Sequence, residues 1–480
     1  MKGTFVPKFS EYFKINAPQS QLDFVDISTD FDTPVYVDPY AIEIRNDVWS
    51  AEASNLIRAF FVEVLDALRA GDDLRARNLM SHLHEPYETY LGVSSAKPQG
   101  KGVGQKQSRQ LIAAIKNSAA FQSGLLSDLS EMALFVEHVD RDKISDLTTN
   151  VIRERLVQYT QEQCALYSIP TNKYNGPPLW DANLRNWRSQ YVDLPFIEDA
   201  PVLLIPKYIV RKRLSLDSQE FYNKHITDFL VSEHIQANSS LVTLLKGKPK
   251  VYKKDVREKH PKSKKLITDL VAQNPGLLDL YKRLASSEAR IMVNTSDTDQ
   301  SVSQSCIDLI AELEKIPAGM KGADAYHIWA MHALTVCFYP DLIQPHKEWE
   351  INQGRKRIDI VFTNAANNGF FAHRRDANNT AATMVVVECK NYTKDIANPE
   401  VDQLLGRFDN NRGRFGIITC RGVQDRDRLL ERQRDLAKGG QAYILALTDD
   451  DFRKLLEAKS KLEEEALGEI LHQKFREIIS

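Results

Sequence analysis

Residues 384–390 read MVVVECK: four apolar residues run straight into a carboxylate, a thiol and an ammonium group. In an extended strand, side chains two apart share a face, so Glu388 and Lys390 are neighbours. Upstream, RKRIDIVFT (355–363) carries Asp359 among Ile358, Ile360 and Val361, a second acid within an apolar strand. If the two strands pair with their ends aligned, Asp359 and Glu388 converge on one point with Lys390 beside them. Two close carboxylates repel, and burial raises the pKa of each, unless a cation lies between them. A hard divalent ion with room for water, Mg²⁺ or Mn²⁺, suits such oxygen ligands. That ion can polarise a phosphoryl oxygen and lower the pKa of a bound water. Lys390 can orient the water, or act as its base if its own pKa is depressed. The bland alternative is a set of surface ion pairs at strand ends, worth at most about 1 kcal/mol.

The surrounding segments must hold these groups in place. DAYHIWAMHALTVCFYP (324–340) puts Tyr326, Trp329, Ala330, Ala333, Leu334, Cys337 and Phe338 on one helical stripe, closed by Pro340. QPHKEWEI (344–351) and 355–363 alternate as two strands joined by a short hairpin turn. A polar loop, 364–382, follows. Its length suggests either function or disorder. It carries His373, Arg374 and Arg375 beside Phe370 and Phe371, a set able to grip a phosphate backbone while an aromatic meets a base. After MVVVECK, NPEVDQLLGRFDNN (398–411) reads as a helix with Asn398 at the N-cap, Pro399 at the first position and a Val401, Leu404, Leu405, Phe408 face. Strand 414–420, helix 423–438, strand 442–447 and a long terminal helix complete the run. The predicted order is α, three strands, α, β, α, β, α.

Asp359, a hydrophobic strand ending Glu388-Cys389-Lys390, and a following helix bearing Gln403 together resemble the nuclease core of the PD-(D/E)XK superfamily, in particular its Mrr-like restriction endonuclease branch. The resemblance covers about the last third of the chain. It implies that Asp359, Glu388 and the backbone carbonyl of Cys389 bind Mg²⁺, that Lys390 serves the attacking water, and that Gln403 belongs to the site, with Arg407 one turn further on the same face. It further implies a DNA substrate, duplex in form, and a prokaryotic role in restriction or anti-phage defence. Relatives often carry a first-helix Glu as a further ligand, but His327 stands there. Either His327 takes that part, or Asp324, Glu348 or Glu350 substitutes, or fewer protein ligands suffice.

The expected fold is therefore α/β: a restriction-endonuclease-like core over 316–480, with a mixed sheet flanked by helices, preceded by a mainly helical α+β region over 1–300. A length of 480 residues, 42% hydrophobic and 27% charged, suits a globular chain of more than one domain. With 63 basic against 65 acidic residues, net charge does not identify a partner, and local distribution matters instead. The stretch 246–265 is strongly basic; it reads as a solvated linker or a polyanion track, with Lys253 and Lys254 as candidate nucleic-acid contacts and no regular helix through Tyr252 and its prolines. The polar stretch 287–305 reads as the connection between domains. In the N-terminal region, 22–42 suggests short strands and turns, and 50–70, 125–139 and 148–167 suggest amphipathic helices. Asp23, Asp26, Asp30, Asp32 and Asp38 read as turn formers rather than a metal cage. Segment 97–107, rich in Gly and Lys, lacks the G-K-[ST] ending of a P-loop. Five scattered cysteines without C-x-x-C spacing and an opening without a signal-peptide h-region predict a reduced, cytoplasmic protein, not a membrane one.

The resulting expectation is a Mg²⁺- or Mn²⁺-dependent endodeoxyribonuclease whose N-terminal region senses, oligomerises or positions substrate. A homo-oligomer or a defence partner is its expected company. The alternatives are a non-catalytic nucleic-acid-binding or scaffold subunit, or a nuclease of RNA or single strands.

Overall fold

A computed structural model describes residues 7–92, 105–246, 248–291, 299–351, 353–396 and 398–480. Its C-terminal elements are α1 (Asp299–Leu313), α2 (Ala323–Phe338), β1 (Leu342–Ile351), β2 (Lys356–Asn364), α3 (Gly369–Asp376), β3 (Met384–Lys390), α4 (Asn398–Leu405), β4 (Phe415–Cys420), α5 (Arg426–Lys438), β5 (Tyr443–Thr448), α6 (Asp449–Ser460) and α7 (Glu464–Ile479). The five strands form one mixed sheet in the order β1-β2-β3-β4-β5, antiparallel through β3 and parallel from there on. The β3–β4 and β4–β5 links each hold a helix, as a crossover between parallel neighbours requires; the β2–β3 link also holds one, α3, but joins antiparallel strands. All six residues of β4 are buried, as a near-continuous apolar run covered on both faces should be.

Two hydrophobic layers hold the sheet. On one face Val385, Val387, Phe415 and Ile417 pack with α2, α6 and α7; on the other, Val386 and Ile418 pack with Val401 and Leu404 of α4. Every residue predicted on the α2 stripe is buried, and so are Met331, His332, Thr335 and Val336. Neighbours on nearly all sides account for this. Trp329 donates its indole N–H to the Leu309 carbonyl at 2.8 Å and stands edge-on to Phe452, fastening α2 to α1 and α6.

The chain departs from the sequence expectation in several places. α1 begins at Asp299, within the stretch 287–305 read as a connection, and its Cys306, Leu309 and Leu313 belong to the C-terminal core; the first residues of that stretch are the end of the helix Gly276–Ile291. The basic stretch is not a linker. It begins in a small hairpin whose second strand, Lys248–Lys250, pairs with Thr243–Leu245, and it contains a helix, Lys253–Lys259, anchored by Val251 and Val256 in the N-terminal core. The predicted single C-terminal helix is two, α6 and α7, and α4 stops at Leu405, before Phe408.

The N-terminal region is mainly helical with two-stranded pieces. Its longest helix, Val48–Arg69, buries Ile57, Phe60, Phe61, Val64 and Leu65, the predicted face. Segment 125–139 instead forms a 3₁₀ turn, Leu129–Glu131, and a short helix, Met132–Phe135; 148–167 is divided between helices Arg141–Val151 and Arg153–Leu166. Asp26 accepts hydrogen bonds from Ser10, and Asp38 caps the helix Pro39–Glu43. Most of segment 97–107 lies outside the described residues. The two cores are joined by buried polar contacts: the Asp23 carboxylate accepts from the Tyr159 hydroxyl at 2.8 Å and the Gln344 backbone N–H at 3.1 Å, and the Gln344 side-chain Nε2 donates to the Tyr208 hydroxyl at 2.7 Å. All five cysteines are buried and free. Among the described residues, no helix is long and apolar enough to cross a membrane.

Candidate active site

Pairing of β2 with β3 runs from Thr363 opposite Met384 to Ile360 opposite Val387, so the next step in register sets Asp359 across from Glu388. The strands part there. Asp359 Oδ2 accepts the Cys389 backbone N–H at 2.8 Å, which fixes the carboxylate against the end of β3. On β3, alternation sends Val385, Val387 and Cys389 toward α2, and Glu388 and Lys390 toward α4. Lys390 Nζ donates to Glu388 Oε1 at 2.8 Å and to Gln403 Oε1 at 3.1 Å, and the Gln403 amide also donates to Glu388 Oε1, closing a ring of three side chains. Of the predicted group, Glu388, Lys390 and Gln403 are in mutual contact and Asp359 is held to the same strand end through Cys389, with Glu388 0% and Lys390 7% exposed.

Electrostatics at this point are strained. Burial raises the Glu388 pKa, and the charge of Asp359 adds to it; Lys390 offsets only part of this. For Lys390, burial opposes the charged form, but the Glu388 carboxylate and its hydrogen bond outweigh burial, and the pKa stands above the ordinary lysine value. The direction is opposite to the depression a free-base lysine requires, so in this arrangement Lys390 is a cation that orients and neutralises. Burial also pushes the Cys389 thiol well up, which keeps it protonated.

Two features of the donor set bear on a divalent ion. Glu388 Oε2 is buried and has no hydrogen-bond partner, an expensive state for a carboxylate oxygen unless a cation meets it. His327 Nε2 lies 3.9 Å from Asp359 Oδ2, and one ligand atom each from His327, Asp359 and Cys389 fall within 4.8 Å of one another. Since the thiol is protonated, the useful members of that group are the imidazole and the carboxylate, with the Cys389 carbonyl as the backbone oxygen nearest in sequence. Of the candidates for a further ligand, His327 is the one beside Asp359. Glu350 is exposed and bonded to Arg357 at 3.0 Å, Glu348 lies 3.7 Å from the same arginine, and Asp324 pairs with Lys347.

The expected nucleic-acid contacts fare differently. The 364–382 loop contains α3, and its Phe370 and Phe371 are core residues packed against Phe415, so neither is available to a base. Arg374 lies 3.9 Å over the Phe475 ring, and Arg375 bonds Asp376 and the Ala366 carbonyl, so both serve the packing of α3. Arg407 is nearly buried beyond the end of α4, where its charge favours ionised Glu388. Lys253 pairs with Asp228 and Lys254 is exposed, both on the helix of the N-terminal core.

Sequence reasoning passed over the residues that seat α2. Asn391 donates to the carbonyls of Pro317 and Gly319 at 2.8 Å each, and its own carbonyl accepts from Gly319 at 2.6 Å. Arg421, ion-paired to Asp449 at 2.8 Å, reaches Asn391 Oδ1 and the Ile316 carbonyl. This clamp ties the loop before α2 to the end of β3 and so sets His327 beside Asp359. Gly322 must lack a side chain, because a Cβ there would lie 2.1 Å from the Pro317 oxygen. The available signal was a polar Asn directly after E-x-K and an Arg closing β4.

Comparison with known proteins adds one finding. No curated protein and no solved structure matches the chain. Residues 14–217, all within the N-terminal region, match a family described as a domain of unknown function (DUF8370).

Proposed function

We propose that the C-terminal unit is a metal-dependent nuclease that hydrolyses phosphodiester bonds of DNA, with a restriction-endonuclease-like core. The observation that carries this reading is the buried, unpartnered Glu388 Oε2 beside Asp359, on the same strand end as Lys390 and within reach of Gln403. Asp359, Glu388, the Cys389 carbonyl and His327 would hold Mg²⁺ or Mn²⁺. When bound, such an ion supplies Lewis-acid activation of a phosphate and of a water. The chain's own contributions are distinct: Lys390 neutralises charge and orients the nucleophilic water, Gln403 holds the Lys390 ammonium and the Glu388 carboxylate in register, and the Asn391–Arg421 clamp keeps His327 in place. A role in restriction or defence against phage is consistent with this chemistry.

The test is cleavage of a supercoiled plasmid in Mg²⁺ or Mn²⁺ by the full chain and by Lys390→Ala, with labelled single-stranded DNA and RNA alongside. Metal-dependent nicking by the wild type, lost in the variant, supports the reading. Duplex DNA left intact while RNA is cut would move the substrate class. A non-catalytic nucleic-acid-binding subunit is the second reading, favoured by the closed Glu388–Lys390–Gln403 ring; binding of DNA without cutting by either protein would support it.

A further inference from the structure

Between the helices Thr227–Gln236 and Lys253–Lys259, the hairpin of Thr243–Leu245 with Lys248–Lys250 projects from the N-terminal core. Its two feet are fixed: Leu241 and Val242 pack against that core before the first strand, and Val251 is buried in it after the second. Beyond the feet every described residue is exposed, Leu244 to 77% and Leu245 to 47%. Thr243 Oγ1 donates to the Lys250 carbonyl at 3.1 Å, and the Lys250 ammonium lies 4.7 Å over the Tyr252 ring, which braces the base of the ribbon. Leu245 stands directly across from Lys248 and Leu244 from Pro249, so the side chains are sorted by face. One face carries Leu245, Lys248 and Lys250; the other carries Leu244 and Pro249. Lys246 sits in the turn at φ 53°, a conformation that glycine or asparagine adopts at less cost, so the tip keeps a cation where a neutral residue would suit the backbone better.

The charge here is uncompensated. Of the ten Lys and Arg residues in 246–265, only Lys253 forms an ion pair among the described residues, and the ammonium groups of Lys246 and Lys248 have no protein partner among them. Solvation accounts for the lysines, but it gives no reason to hold two leucines away from a core that the feet of the same ribbon reach.

We propose that this hairpin enters the major groove of duplex DNA, with Lys246 and Lys248 against phosphates and Leu244 against apolar base-edge atoms such as the thymine methyl. A groove about 12 Å wide admits a two-stranded ribbon, and the two kinds of contact divide the work: phosphate contacts position the ribbon, and the leucine gains only on close approach to the bases. The choice of DNA as the polyanion rests on the nuclease reading above, and the contact lies in the N-terminal core, outside the C-terminal unit.

The test is fluorescence anisotropy of a short labelled duplex with the full chain in EDTA, titrated at several salt concentrations. It reads binding without cleavage, so a chain that binds through the hairpin yet never cuts plasmid in Mg²⁺ or Mn²⁺ upholds this surface while refuting the nuclease. Each neutralised phosphate adds about 0.9 to the slope of log affinity against log salt, which is a factor of about eight between ~1 M and ~0.1 M. The double variant Lys246→Gln/Lys248→Gln should therefore bind at least about tenfold more weakly near ~0.1 M salt, with a slope shallower by about 1.8. Leu244→Ala should weaken binding several-fold with the slope unchanged. All three side chains are exposed, so folding is not at stake in either variant. No duplex binding by the wild type, or wild-type affinity and slope in the double variant, overturns the surface. Unchanged affinity in Leu244→Ala overturns entry into the groove, and tighter binding to RNA of the same sequence or to phosphatidylserine vesicles overturns the assignment to duplex DNA.

Discussion

Replacing Lys390 with methionine keeps the aliphatic stem and removes the ammonium that sits 2.8 Å from Glu388 Oε1 and 3.1 Å from Gln403 Oε1. What remains is a fully buried carboxylate with Asp359 close enough to raise its pKa and one of its oxygens already unpartnered. Breaking a buried ion pair from one side typically costs about 3–5 kcal/mol, because the surviving charge stays desolvated. For a unit of this size that corresponds to a fall of very roughly 6–20 °C in the unfolding midpoint. Glu388→Gln on the Lys390→Met background removes the stranded charge and should restore most of the loss. Mn²⁺ should rescue the single variant as well, since a cation bound at about a hundred times its dissociation constant contributes ~2.7 kcal/mol. Urea denaturation of wild type, both single variants and the double variant, each in EDTA and in Mn²⁺, measures all of these terms. A cost below about 1 kcal/mol for Lys390→Met in EDTA, or a double variant no more stable than the single one, would refute the electrostatic account.

Three further outcomes are expected. His327→Ala should reduce stabilisation by Mn²⁺ more than by Mg²⁺ in thermal shift, because imidazole suits the transition ion better; equal loss would remove His327 from the ligand set. Asn391→Ala deletes the donors to Pro317 and Gly319, at about 1 kcal/mol each, and should speed hydrogen exchange in the loop before α2; unchanged protection there would contradict the clamp. The Asp146 carboxyl is pushed up to about 8, by burial first and then by Asp142, Glu85, Asp140 and Asp32. The folded chain therefore keeps a proton that the unfolded chain releases near pH ~4, and the stability this gives is whole below that pH and lost as pH rises to about 8. Asp146→Asn should flatten that decline, which is at most about 1.4 kcal/mol per pH unit; equal slopes of midpoint against pH between 5 and 8 would count against it.

Much of the site was legible because it follows from strand and helix periods. Alternation placed Glu388 and Lys390 on one face, and the stripe on α2 and the apolar run of β4 identified elements that are buried as expected. Where short segments depend on distant partners, the reading failed. GFFAHRRD looks like a polar loop, yet α3 exists because Phe370 and Phe371 find Phe415 across the chain. The basic stretch looks unfit for a helix, but Val256, buried in the N-terminal core, is enough to anchor one turn after another. Local pattern also could not disclose that Gln344 would donate to Asp23, more than three hundred residues away in the chain, or that Asn391 would carry the loop before α2.

The most direct test of the shared-cation claim is a crystal of the full chain soaked in Mn²⁺ and measured at the manganese edge. The account predicts one anomalous peak within ~2.0–2.6 Å of carboxylate oxygens from both Asp359 and Glu388, the range for hard cations on oxygen. An empty site at saturating Mn²⁺, or a peak that touches only one of the two carboxylates, would contradict it.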